Sequence, residues 1–362
     1  MKSRRFILII FSLLLIGLVF ISISSITEAS HTLGDKFFFI KKQLVWSGIG
    51  IFSFIFASKI PLSLIKKYSP HFYIFTVILL LLTLIPQFSN SALGARRWLD
   101  LGGIGIQPSE IFKLSSIIFF AHIFSFEKYR QIKYIFYYLL LPLCLIMLEP
   151  NMSTTVLAGA IVITIFYVSG GSLSTIITLC ALAIISSVIL IAVSPYRKAR
   201  LDSTSYHSNQ MALTITSGHL LGKGFANSDQ KYRYLPKIST DSILAVIGEE
   251  TGFIGISLII FLFYTLISNI FLLGLSQSPT SFNYLLCLGI GSWLAYQSLI
   301  NMAAVASLIP LTGVTLPLIS YGGSSLTTCL LGLGLINNLI YSSKNETSKN
   351  HHYHRHTSHS RH

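Results

Sequence analysis

Long apolar runs separated by short polar joints fill most of the chain. A helix that crosses a bilayer needs about 20 mostly apolar residues, and ten runs meet that pattern: 6–26, 43–60, 71–88, 108–126, 133–149, 153–169, 173–194, 251–275, 282–305 and 322–342. They predict an all-α, polytopic membrane protein of about ten transmembrane helices over 1–342. The tail 343–362 is histidine-rich and of low complexity, which predicts disorder and assigns it no role. The first run follows Lys2, Arg4 and Arg5 as a signal peptide would, but its apolar core is too long and Thr27–Glu28–Ala29–Ser30 is a poor cleavage site. It reads as an uncleaved first helix.

One stretch breaks the rhythm. From Ser194 to Glu250 the chain is largely polar, with a loop at about 195–241 between the seventh and eighth runs. Short connections suffice to join spans, so a long polar loop in a membrane protein is the natural place for function.

Composition fits this reading. Hydrophobic residues make up 52% and charged residues 10%, against about 25% charged in soluble domains. Mean hydropathy is +0.69. The formal charge of +14 comes from basic residues in the joints, which points to anionic head groups or an anionic substrate, not to nucleic acid. Cys144, Cys180, Cys287 and Cys329 all fall inside apolar runs, without disulfide or zinc-site spacing.

The basic joints also give an orientation. Lys2, Arg4 and Arg5, then Lys59, Lys66 and Lys67, then Lys128, Arg130 and Lys133, and finally the tail, all fall on one side of a ten-span chain. By the positive-inside rule that side is the cytoplasm, so both termini are predicted to be cytoplasmic. The 195–241 loop is then outside, although it carries seven Lys/Arg (Arg197, Lys198, Arg200, Lys223, Lys231, Arg233, Lys237) against Asp202, Asp229 and Asp241. Long loops translocate largely regardless of charge. The surplus suits either contact with anionic lipid or neutralisation of a phosphate-bearing substrate. No inverted repeat is evident, which counts against a secondary transporter.

Three constellations share the predicted outer face. Gly94–Ala95–Arg96–Arg97–Trp98 precedes Gln107–Pro108–Ser109–Glu110 and Lys113. Pro108 suits a first helical turn, Glu110 the positive helix end, and Glu110 with Lys113 share a face at i,i+3. These intramembrane charges read as a functional pair or as a structural ion pair; Arg96, Arg97 and Trp98 suit phosphate contact or interfacial anchoring. Thr240–Asp241 leads an apolar run, where Asp241 suits a helix N-cap. Glu249 and Glu250 lie too far along that run to pair with it as a carboxylate dyad, and Gly248 with Gly252 suits helix packing. The stretch Pro310 to Ser325 holds two prolines and three glycines, so it predicts a broken segment lining a cavity, or a structural turn.

Taken together the chain resembles the SEDS family of bacterial cell-wall proteins (shape, elongation, division, sporulation), which includes RodA and FtsW. The resemblance is carried by Gly94–Ala95–Arg96–Arg97–Trp98 with Gln107–Pro108–Ser109–Glu110, by Gln230–Lys231 with Tyr234–Leu235–Pro236, by Thr240–Asp241 leading to Ile247–Gly248–Glu249–Glu250, and by Pro317 to Ser325. The residues around Asn227–Lys231 and Gly248–Glu250 look most like the cell-division member.

The resemblance implies a glycosyltransferase that polymerises lipid II into peptidoglycan for septal wall synthesis. It implies Asp241 as the catalytic carboxylate. Substrate would be bound by Arg96, Arg97, Trp98, Glu110, Lys113, Lys223, Lys231, Arg233, Glu249, Glu250 and Ser324. A divalent cation, magnesium or manganese, is the one implied cofactor. The partners implied are a class B penicillin-binding protein and other division proteins, in the bacterial inner membrane. Two alternatives stay open: a lipid II flippase, and a division scaffold without catalysis. The chain departs from the family at Lys237–Ile238–Ser239, where Glu-Ala-His is usual, and at Pro150–Asn151, where Pro-Asp is usual.

Overall fold

A computed structural model describes residues 3–32, 37–92, 95–100, 102, 105–193, 210–228 and 239–358. Among the described residues ten long helices succeed one another: α1 Ser3–Thr32, α2 Phe38–Ala57, α3 Leu62–Thr83, α4 Pro108–Phe124, α5 Ile132–Leu148, α6 Met152–Val168, α7 Leu173–Val193, α8 Ile243–Leu275, α9 Phe282–Val305 and α10 Gly323–Ser358. A short helical segment, 210–217, precedes α8. Six of the ten are long and apolar enough to cross a bilayer by themselves, namely α1, α2, α3, α8, α9 and the first part of α10. The chain is therefore an all-α polytopic membrane protein, as the run pattern predicts.

The centre of the bundle is α4. Fourteen of its 17 residues are buried, Glu110 and Lys113 among them, so no polar face is left to give an amphipathic signal. Around it pack α3, α6, α9 and α10. At the other extreme α7 touches the bundle through α6 and leaves Ile177, Ile184 and Val188 exposed, as a lipid-facing helix does. Polar side chains close the helix ends: Asn338 of α10 donates to the carbonyls of Ala57 (3.1 Å) and Ile60 (2.6 Å), which end α2 without intrahelical partners.

The structure differs from the run pattern in several places. α3 begins at Leu62, not 71, and carries Pro70 in its interior. The lost backbone bond there is compensated by Ser69, whose Oγ donates to Lys66 O at 2.8 Å. α8 begins at Ile243, not 251, and is broken at Gly252, which has φ +66. Finally, 89–106 holds a small antiparallel sheet in the order β1 (Ser89–Ala92), β2 (Ala95–Asp100), β3 (Gly105–Ile106). In addition, α10 continues without interruption through 343–358, residues whose composition predicts disorder.

Candidate active site

The site is assembled where α8 begins. The helix is capped by Ser242, with no side-chain cap bond, so Asp241 is one residue too early to be the N-cap. The backbone around Asp241 is held from two sides. Asn301 of α9 donates Nδ2 to Asp241 O (3.3 Å) and to Val314 O (2.7 Å). Ser320 Oγ donates to Thr240 O (2.6 Å), and Tyr321 N donates to Ser239 O (2.8 Å). Residues 239–241 and 314–321, far apart in sequence, are thus stitched side by side. The stretch 310–322 is irregular, as its prolines and glycines predict, and it lines a cavity.

That cavity measures about 660 Å³, and Asp241, Arg97, Trp98, Glu110 and Lys113 all line it. Lys113 donates to Glu110 Oε1 (2.8 Å) and to Gln297 Oε1 (2.8 Å), while Trp293 Nε1 reaches the same Gln297 oxygen at 2.7 Å. Glu110 Oε2 is buried with no hydrogen-bond partner among the described residues. Arg97 comes from β2, which the small sheet presents to the α5–α6 turn. Its Nε donates to Glu149 O (2.9 Å) and its Nη2 to Pro150 O (2.5 Å). Glu149 lies in that turn, one residue past the end of α5. Its Oε1 accepts from Thr83 Oγ1 at 2.6 Å, and Oε2 is buried without a hydrogen-bond partner among the described residues. Burial pushes its carboxyl up to about 7, against the opposing pull of Thr83 and of the Arg97 charge.

The remaining predicted residues fall elsewhere. Arg96 is exposed on β2, outside the cavity lining. Ser324 is buried beside the cavity and accepts from Gln107 N at 3.0 Å. Glu249, Glu250 and Lys223 form a separate clasp. The buried Glu249 carboxylate accepts from Lys223 Nζ (2.7 Å), Ser217 Oγ (3.3 Å) and Ser228 Oγ, and Glu250 Oε2 accepts from Ala226 N (3.0 Å). These three residues tie 217–228 to α8 and do not line the cavity. Lys231 and Arg233 lie outside the described residues. Conversely, Lys41, Lys42 and Trp46 of α2 line the cavity and had no signal beyond two charges and an indole near the start of an apolar run.

A family profile described as "Cell cycle protein", covering FtsW, RodA and SpoVE, matches residues 4–345. The chain belongs to this FtsW/RodA/SpoVE family. Among its FtsW/RodA/SpoVE relatives, it is 34% identical to stage V sporulation protein E of Bacillus subtilis over 361 aligned residues, covering 93% of this chain and 97% of that one. It is 34% identical to a probable peptidoglycan glycosyltransferase FtsW of Polynucleobacter necessarius, covering 90% of this chain and 83% of the relative. The fold is shared with a chain solved in work on a peptidoglycan synthase complex that coordinates polymerization and crosslinking (TM-score 0.77, 22% identity, 93% of this chain and 96% of that one). It is shared also with the crystal structure of Thermus thermophilus rod shape determining protein RodA (TM-score 0.69, 24% identity, 92% and 95%).

Among the described residues no group of three His, Cys, Asp or Glu could hold a metal ion unaided. Among the described residues the carboxylates lining the cavity are Asp241 and Glu110, and Glu110 is already ion-paired. This family member therefore fits only a cation whose shell is completed by a ligand's own oxygens, as magnesium is commonly bound through one or two carboxylates plus phosphates.

Proposed function

We propose that the chain is a membrane-embedded peptidoglycan glycosyltransferase that polymerises lipid II during cell division. The observation that carries this is the placement of Asp241 in one cavity with Arg97 and Lys113. The reaction needs a base and a cation in the same space. Asp241 takes the proton of the acceptor's 4-hydroxyl as its oxygen attacks the anomeric carbon of the donor. The bond from that carbon to the lipid pyrophosphate breaks, and negative charge grows on the leaving oxygen. Fixed cations aimed at that charge lower the barrier, and a positioned base adds about 10²–10⁴-fold.

Arg97 and Lys113 are the cations proposed to meet the pyrophosphate, with Lys41 and Lys42 at the α2 side of the same cavity. Arg97 is held by two carbonyls and Lys113 by Glu110 and Gln297, so both are fixed before substrate arrives. A divalent cation held by Asp241 together with the phosphates would supply further charge neutralisation. The names of the relatives support the activity.

The orientation proposed is cytoplasmic for both termini, in the bacterial inner membrane. It is supported by Lys66, which lies over the Phe126 ring at 5.3 Å and so belongs to the α4 end remote from Glu110. A class B penicillin-binding protein is the proposed partner. Purified chain with that partner in detergent, fed labelled lipid II, tests the proposal: polymer forms with the native chain and not with Asp241→Asn. A flippase has no measurable activity without a sealed compartment, so absence of polymer from the native chain would sink the enzymatic reading.

A further inference from the structure

A second cavity, of about 470 Å³, lies between α3, α4 and α5 and is lined almost wholly by aromatic and aliphatic side chains. It is open to the bilayer, because its lining residues Ile74, Ile78, Leu141 and Tyr137 are between 49% and 73% exposed. It sits at the Phe126 end of α4. Glu110 and the first cavity are at the other end of this 17-residue helix, a rise of about 25 Å. The two cavities share no lining residue.

Proline builds this groove. Pro70 of α3 and Pro142 of α5 both line it, and each frees the carbonyl four residues earlier. Neither carbonyl is left to lipid: Lys66 O accepts from Ser69 Oγ (2.8 Å), and Tyr138 O accepts from Tyr73 OH (2.5 Å). The Ser69 hydrogen is committed to Lys66 O, so Ser69 Oγ accepts from His122 Nδ1 at 2.7 Å. His122 lines the groove, and no hydrogen bond to its Nε2 is found among the described residues.

The rim is cationic. Lys66 Nζ stands 5.3 Å from the Phe126 ring centre and Lys128 Nζ 4.7 Å from that of Tyr129, and both rings line the groove. Residues 58–67 and 125–133 carry Lys59, Lys66, Lys67, Lys128, Arg130 and Lys133 against Glu127 alone. An apolar, laterally open slot with fixed ammonium groups at one edge matches a lipid with an anionic head.

We propose that this groove binds an anionic glycerophospholipid, with one acyl chain along the aromatic lining and its phosphate met by Lys66 and Lys128. The site is independent of the glycosyl-transfer cavity, and its occupant is neither substrate nor product. Native mass spectrometry of the full chain in dodecyl maltoside tests this, with dioleoyl-phosphatidylglycerol, dioleoyl-phosphatidylcholine and a polyprenyl phosphate as competing probes. The native chain should retain phosphatidylglycerol preferentially. Lys66→Gln and Lys128→Gln should each lower that preference about fivefold, the gain typical of one basic residue near an anionic surface. Ile78→Trp, at a half-exposed groove wall, should displace both phospholipids. Equal retention of the two phospholipids, a preference untouched by the lysine changes, retention unaltered by Ile78→Trp, or stronger retention of the polyprenyl phosphate would each overturn the proposal.

Discussion

The Lys113 ammonium lies 2.8 Å from Glu110 Oε1 and 2.8 Å from Gln297 Oε1, with its side chain 1% exposed in the middle of the bundle. Removing one member of a buried ion pair typically costs about 3–5 kcal/mol, since the survivor keeps its desolvation cost and loses its partner. Lys113→Met should therefore lower the thermal unfolding midpoint in detergent markedly, and Lys113→Met with Glu110→Gln should recover part of the loss. If the double change is no better than the single one, Glu110 is not the group left stranded.

Asp241→Asn keeps the size of the side chain and removes its basicity. Polymer yield from labelled lipid II should fall by at least about 10²-fold, the lower end of what a positioned base contributes. Turnover equal to that of the native chain would remove Asp241 from the chemistry.

Arg97 meets two carbonyls, Glu149 O and Pro150 O, through Nε and Nη2. A lysine cannot make both contacts from one fixed geometry. Arg97→Lys should cost about one charge-assisted hydrogen bond, roughly 1.5–3 kcal/mol, read as a tenfold or greater fall in kcat/KM for polymerisation. Full activity in Arg97→Lys would show that charge alone suffices there.

Glu149 gives the chain a pH signature. Burial raises its carboxyl from 4.5 to about 7 in the folded state, so the neutral form is the one the fold prefers. Stability from this group is full below its unfolded value and is lost as pH rises through the folded value. The unfolding midpoint should decline between pH 4.5 and about 7, and Glu149→Gln should flatten that part of the profile. A native profile already flat in that window would refute it.

Gly252 has φ +66, and a Cβ there would lie 2.4 Å from Gly222 N. Strain and collision act together, so Gly252→Ala should destabilise by at least about 1–3 kcal/mol. Gly48 in α2 is the control: a Cβ there meets nothing within 4 Å, and alanine should be neutral or stabilising by about 0.4–1 kcal/mol. The two unfolding midpoints should move in different directions or by clearly different amounts.

Much of the bundle was legible because a span must be predominantly apolar over about 20 residues. The run 282–305 coincides with α9, and Pro108 does open α4. The errors came where local chemistry was overridden by neighbours. The apolar run 71–88 misses the first turns of α3 because Lys66, Lys67 and Ser69 there are polar, and the Ser69 hydroxyl that compensates Pro70 shows only in three dimensions. Glu249 and Glu250 are named as substrate-binding on the strength of the resemblance. They are buried and accept hydrogen bonds from Ser217, Lys223, Ala226 and Ser228, and they do not line the cavity. The strands at 89–106 are too short and glycine-broken to show alternation. Lys41, Lys42 and Trp46 reach the cavity only because α2 packs against α10, a pairing that no local pattern encodes.

The clasp between 217–228 and α8 has a mechanical consequence. At its heart Gly222 and Gly252 meet main chain to main chain, while Lys223 N and Gly224 N donate to the carbonyls of Glu249 and Glu250. Such a joint has no rotamers to absorb displacement. The joint is made to the same first turns of α8 that follow Asp241, so the clasp and the turn bearing that carboxylate are two ends of one short helical segment.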